Sequence, residues 1–194
     1  MRHKISILLT AALMMVVFTN GVSQNILVKA NKMSVQGSST LHDWESEITK
    51  AEVRGEFLIS GSQLKEIKNV EVKVPVESIK STKGKMMDNK TYDAFNASRN
   101  PNIVYKVTNA KINAANGTID ANGTLTMAGV SKPMDVQGKY TVLENGDIRL
   151  TLSRTFKMSE FKMDPPTAMM GTVKVGDEVT VNFDLVLDAK TIVQ

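Results

Sequence analysis

Val70-Glu71-Val72-Lys73-Val74-Pro75-Val76 opens the stretch that decides the fold, residues 70–105. Valine occupies every second position, the period of a strand with one apolar and one polar face. A polar loop, residues 78–84, leads into a helix-like piece over residues 85–98. Asn100-Pro101 is expected to end that piece, because the residue before a proline is pushed out of the helical region. A new alternation, Ile103-x-Tyr105-x-Val107, then takes over. At helical spacing Met87, Thr91, Ala94, Phe95 and Ser98 share one face, with Asp88, Asn89, Asp93 and Asn96 opposite. So short a helix is not stable alone, and its apolar face has to pack on sheet.

Outward from this unit, the chain reads as strand and turn. Upstream, Ile26-x-Val28-x-Ala30 and Met33-x-Val35 alternate, with a change of phase near Asn31-Lys32 that predicts a bulge. Gly37-Ser38-Ser39-Thr40 reads as a turn and lacks the Gly-Lys pair of a phosphate loop. Alternation resumes at Trp44 and through Val53-x-Gly55-x-Phe57-x-Ile59, breaks at Gly61-Ser62 and restarts at Ile67. Downstream, Asn116-Gly117 and Asn145-Gly146 are hairpin signals. Gly123 lies inside Ile119-x-Ala121-x-Gly123-x-Leu125-x-Met127, which marks it as a bend or a point of close backbone approach. Met134-x-Val136-x-Gly138-x-Tyr140-x-Val142 and Ile148-x-Leu150-x-Leu152 follow. Pro165-Pro166 is incompatible with a central strand, and Gly176-Asp177 is read as opening the last one, Val179-x-Val181-x-Phe183-x-Leu185-x-Leu187.

The fold class is therefore all-β with one short helix. Strands that alternate throughout belong to an antiparallel sheet rather than a buried parallel one. A sandwich and a barrel both fit, and long strands joined by short hairpins favour a closed up-and-down barrel, which has no exposed edges.

Residues 1–23 stand apart. Arg2 and Lys4 precede an apolar run of about 14 residues, 5–18, and Gly21-Val22-Ser23 supplies small residues, the pattern of a secretory signal peptide. The run falls short of the ~20 residues that span a bilayer, and no cysteine follows it to carry a lipid anchor, so a soluble periplasmic or extracellular protein without a membrane span is expected. Residues 24–194 then form one domain of ordinary size. Loss of Arg2 and Lys4 from 24 basic residues leaves 22 against 20 acidic ones, interspersed along the chain, which argues against nucleic acid as a partner. With no cysteine the fold rests on its core, and 12 methionines with 5% aromatics make that core adaptable.

Several motifs together are specific. Gly37-Ser-Ser-Thr-Leu-His-Asp-Trp44 and Val74-Pro-Val-Glu-Ser-Ile79 precede the helix. Asp88-x-x-x-Tyr92-Asp-Ala-Phe95 with Asn100-Pro-x-Ile103, then Gly123-Thr-Leu-Thr-Met-Ala-Gly-Val-Ser-Lys-Pro133 and Gly176-Asp-Glu-Val179, continue in order. In these the chain resembles the YceI-like family of secreted, lipocalin-like barrels associated with polyisoprenoid binding. It departs from the family pattern in lacking an aromatic opening to the first strand, and in carrying Phe156-Lys-Met-Ser-Glu-Phe161 after Arg154. The resemblance implies an eight-stranded antiparallel barrel with a helix near one end and an isoprenoid, or another long-chain hydrophobic ligand, inside. An eight-stranded barrel is wide enough to enclose one slender ligand, which agrees with that implication. A monomer and a homodimer are both compatible with the sequence.

On this reading the barrel lining that would meet a ligand includes Trp44, Phe57, Val74, Val76, Met87, Phe95, Tyr105, Leu125, Met127 and Phe183. Met86, Met87, Met127, Met163, Met169 and Met170 read as core, as tunnel lining or as soft ligands for copper, and no regular methionine spacing supports the metal. His42-Asp43 suggests an acid–base pair, but neighbouring strand residues point to opposite faces. No cysteine, nucleophile-elbow serine or zinc spacing is present, so no catalytic residue, metal or cofactor is assigned. Arg154 and Lys132 are read as donors to an acidic head group or as solvated surface charges. Three functions fit: a lipid carrier or store, an enzyme acting on a hydrophobic substrate in the barrel, and a stress-related barrel with no defined ligand. N-terminal sequencing of the exported protein is expected to begin near Gln24; a Met1 terminus in a membrane fraction would mean that the leader is an anchor.

Overall fold

Pairing along the chain makes one antiparallel sheet that returns to its own beginning. The structure is a computed structural model and describes residues 24–192; the expected leader, residues 1–23, lies outside the described residues. Twelve strand segments are present: β1 (Gln24–Ile26), β2 (Val28–Ser39), β3 (Trp44–Ile48), β4 (Glu52–Ser60), β5 (Gln63–Pro75), β6 (Ile79–Ser81), β7 (Asn102–Asn113), β8 (Thr118–Met127), β9 (Val130–Val142), β10 (Ile148–Lys157), β11 (Thr167–Ala168) and β12 (Val173–Leu187). One helix, α1, covers Lys85–Phe95.

Apart from the short β11, these segments are eight runs, because β1–β2, β3–β4 and β5–β6 are each one run with a short break. The first run pairs with the second twice, Gln24↔Gly55 on β4 and Gly37↔Trp44 on β3. The second pairs with the third in the same way, Val53↔Val72 and Ser46↔Ser81. From β5 the meander runs through β7, β8, β9 and β10 to β12, which pairs back onto β2. Because the first run thus pairs both with the second run, next to it in the chain, and with β12, the last strand of the meander, the sheet is closed. This is the up-and-down barrel that the alternation favoured over a sandwich.

The breaks and bulges bend the strands where closure demands it. The bulge expected near Asn31-Lys32 falls slightly earlier, where Val186↔Ala30 is followed by Leu187↔Val28 and leaves Lys29 unpaired. Gly37, expected in a turn, is inside β2 opposite Trp44, and an added Cβ there would meet the indole at 2.7 Å. The last strand starts at Val173 rather than Gly176, and Gly176 falls within its register shift between Val175 and Val179. Gly123 is a close-approach point, as expected: a Cβ would come within 2.4 Å of the Lys106 carbonyl and 2.7 Å of the Tyr105 ring.

Helix α1 is shorter than expected and partly rotated in role. It stops at Phe95, before Asn100-Pro101, because Asn96 adopts a left-handed conformation (φ 49°) and its N–H donates to the Asp93 and Tyr92 carbonyls. Asn100 then donates from Nδ2 to the Phe95 carbonyl at 3.1 Å, securing the same end. Asp88, expected on the solvent face, is buried and accepts the Ser81 N–H at 2.7 Å, while Ser98 is exposed. The carboxylate therefore ties the helix to β6.

The end of the barrel away from α1 is filled. Leu64, Ile148 and Leu187 have no exposed surface, and Ile26 and Ile192 are nearly as buried. Beyond them Lys29 Nζ lies 2.8 Å from Asp147 Oδ1 and 3.0 Å from Asp188 Oδ1, both buried carboxylates. Asp147 is held below its usual range first by the Ala189 N–H and then by Lys29; Asp188 is lowered first by the Lys190 N–H and then by Lys29. Groups lowered on folding contribute stability that is full above their unfolded value near 3.8 and is lost as pH falls through the lower folded values.

Two measurements check these assignments. The thermal midpoint is expected to hold steady from neutral pH to about 5 and to fall below about 4, with a flatter acid dependence in Asp147→Asn/Asp188→Asn; an unchanged acid slope in that variant would contradict the linkage. Asn96→Ala is expected to cost about 1 kcal/mol in urea unfolding, and Asn96→Gly much less, since alanine keeps a Cβ at positive φ without the polar side chain that lets asparagine tolerate it, whereas glycine has no Cβ.

Candidate functional site

The inward rows of the barrel become visible from β10 and β12. Their outward positions pair polar groups, Arg149 with Asp184, Ser153 with Asn182 and Thr155 with Thr180. The alternate positions, Leu150, Leu152, Arg154 and Phe156 on β10 and Val179, Val181, Phe183 and Leu185 on β12, face the interior. Above the filled floor this interior encloses a cavity of about 490 Å³, within the roughly 300–1,000 Å³ of ordinary small-ligand sites.

Trp44, Phe57, Val74, Tyr105, Leu125, Met127 and Phe183 all line the cavity from strands, and Met87 and Phe95 line it from α1. Val76 does not. Strand β5 ends at Pro75, and Val76–Ser78 forms a 3-10 turn, so the two-residue period that aligned Val76 with Val74 is broken there. Val76 is fully buried outside the cavity wall. Wall residues that the expected lining omitted include Val70, Val72, Met134, Val136, Val53 and Ile119. The valines carried the same signal as Val74, whereas Met134 needed the β8–β9 register to be assigned a face.

Met86, Met163 and Met169 also border the cavity, but Met170 is wholly exposed and lies outside it. Among the described residues no group of three or more His, Cys, Asp or Glu is placed to hold a metal ion. The mouth is at the helix end, where Leu41 from the β2–β3 turn, Met86 from α1 and Met169 after β11 reach the cavity while largely exposed.

Polar groups in the wall are few and separately engaged. The Tyr105 hydroxyl donates to the Met134 carbonyl at 2.9 Å, and burial, before the nearby Asp135 charge, pushes its pKa up to about 12. It is a wall group that stays protonated. His42 stands at the mouth, in a turn rather than a strand, with Nδ1 2.7 Å from the Asp43 carbonyl oxygen; its contact with Asp43 is through backbone, not carboxylate. Trp44 Nε1 donates to the Ser38 carbonyl at 2.9 Å, which leaves the indole face on the cavity. The two basic candidates are both exposed; Arg154 borders the cavity, and Lys132, paired with Leu125, does not. This arrangement encloses apolar matter and presents no paired acid and base at its centre.

The family model described as the YceI-like domain matches residues 22–187. The chain belongs to the YceI-like family. Solved structures share its fold. Burkholderia cenocepacia BcnA superposes with a TM-score of 0.65 at 19% identity, covering 80% of this chain and 95% of that one. A polyisoprenoid binding domain from Saccharophagus degradans, implicated in plant cell wall breakdown, gives 0.63 at 14% identity over 85% and 97% of the two chains. A Campylobacter jejuni YCEI protein gives 0.54 at 22% identity over 72% and 85%. No curated protein matches the sequence. Within the YceI-like fold of this chain, no helix among the described residues is long and apolar enough to cross a membrane.

Proposed function

We propose that this YceI-like protein is exported through cleavage of residues 1–23 and binds a polyisoprenoid-type or similar long apolar chain inside its barrel, as carrier or store, without chemistry on it. The observation that carries this reading is the cavity above the packed floor, walled by aliphatic, aromatic and thioether side chains and open beside α1. Each CH₂ withdrawn from water is worth about 0.8 kcal/mol, so one five-carbon isoprene unit gains roughly 4 kcal/mol on entering such a sleeve. Methionines at Met87, Met127, Met134 and Met163 suit the site to an irregular chain, because an unbranched thioether repacks easily. The related domain from Saccharophagus degradans, named for polyisoprenoid binding, supports the ligand class.

Organic extraction of the purified protein followed by mass spectrometry is expected to recover a long-chain isoprenoid or comparable lipid, chemically unchanged. Leu125→Trp, which adds bulk in the wall, is expected to reduce the recovered lipid while the protein still melts cooperatively. His42→Ala is expected to leave both the amount and the identity of the lipid unaltered. Recovery of no lipid from the native protein would instead favour a barrel without a ligand, and a product whose formation depends on His42 would favour an enzyme.

A further inference from the structure

The cavity wall carries charge of one sign only. Among the described residues no aspartate or glutamate lines it, and its basic members are Lys83 and Lys90 beside the mouth and Arg154. Arg154 differs from the two lysines in where it stands. It is the one charged residue that a barrel strand contributes to the wall among the described residues, in the inward row Ile148, Leu150, Leu152, Arg154, Phe156. Its cross-strand partner Val181 is apolar, and Leu152 and Phe183 form the next inward pair toward the floor. The guanidinium has no ion pair among the described residues; Nε lies 3.3 Å from the Met134 sulfur, a weak acceptor. A guanidinium carries five N–H donors and Arg154 is exposed, so most of its donor capacity is uncommitted and within reach of the cavity.

Arg154 is exposed and so solvated where it stands, but its place in an inward row puts that charge on the cavity surface rather than on the outer face of the barrel. Acidic side chains that could neutralise it are absent from the wall, whereas elsewhere in the molecule Lys29, Lys73 and Arg149 each have a carboxylate partner. The complement missing at Arg154 is an anion with apolar matter attached on the floor side.

We propose that Arg154 is the head-group site of the cavity: the bound lipid carries an anionic end, a carboxylate or a phosphate, that pairs with the Arg154 fork, and its chain runs from there toward Phe57, Leu150 and Leu185. This rests on the apolar-ligand reading and names the chemical class of the ligand. Planar, bidentate pairing of the guanidinium with an oxyanion is worth about tenfold in affinity over a neutral hydroxyl.

Delipidated protein is titrated with two matched pairs, farnesyl phosphate with farnesol and oleate with oleyl alcohol, each below its aggregation limit. Trp44, the one tryptophan of the chain, lines the cavity and reports binding by fluorescence. The expected result is a preference of about tenfold or more for the anionic member of at least one pair, abolished in Arg154→Gln with the alcohol affinities retained. Arg154→Lys should keep part of the preference, as a charge without the fork. The pair in which the preference appears identifies the head group as phosphate or carboxylate. Equal affinities within both pairs overturn the proposal and leave the apolar-ligand reading intact. Loss of the alcohols together with the anions in Arg154→Gln also overturns it, because the residue would then be a packing element. Binding of none of the four by the native protein would defeat the underlying reading itself.

Discussion

Closure of the sheet is the constraint on which everything else in this molecule depends. The first run, β1–β2, pairs with the second run on one side and with β12, the last strand of the meander, on the other, and only a sheet bent through a full circuit permits that. Once the circuit is complete every long strand has a partner on both sides along part of its length, and each run has an inside and an outside. The same requirement explains the interruptions at Leu27, before Glu52 and at Val76–Ser78. They fall at the joints of the first three runs, where one run turns between pairing with β3 or β6 and pairing with β1, β4 or β5.

Eight runs set a bore that side chains can either fill or leave open, and this protein does both. At the far end Leu64, Ile148 and Leu187 are fully buried in one aliphatic cluster, with the Lys29, Asp147 and Asp188 group behind them. At the near end the chain makes its two excursions, residues 82–101 and 158–172, and the bore is roofed rather than plugged. Polar anchors hold the roof in place. Asp88 accepts from the Ser81 N–H, Asn100 donates to the Phe95 carbonyl, and the Tyr92 hydroxyl donates to the Glu77 carbonyl at 3.0 Å. Because those bonds fix α1, Met87, Ala94 and Phe95 do not have to bury themselves fully in a core, and their surfaces remain available to the cavity.

Methionine placement follows the same division. Met127, Met134, Met158 and Met163 gather with Phe161 and Val179 in a second core beneath the 158–172 segment, separate from the aliphatic floor. Phe156 and Phe161 meet edge to face there, 5.7 Å between ring centres. A wall backed by flexible thioethers accommodates occupants of different shape more readily than one backed by branched aliphatics.

By itself the sequence determined the strands, their alternation, the single helix and the family, since each of these is a property of residues close in the chain or of motifs in fixed order. Val70, Val72 and Val74 announced one apolar face of a strand before any partner strand was known, though only Val74 of the three was expected to line the cavity, and Gly123 announced a crowded backbone. What the local pattern could not determine was where a period is interrupted by hydrogen bonds to distant residues. Val76 leaves the row because Val76–Ser78 turns toward β6, and its N–H goes to the Pro101 carbonyl at 2.9 Å. Asp88 looked like a solvent-facing helix residue until β6 brought the Ser81 N–H to it. Lys132 and Arg154 were equivalent as sequence, each a basic residue in an alternating strand. Both are exposed and both share the phase of cavity-lining neighbours, Lys132 with Leu125 and Met134, Arg154 with Val181. Only the folded barrel decided that Arg154 borders the cavity and Lys132 does not, because a strand's phase selects a face but not whether a side chain on it meets the cavity.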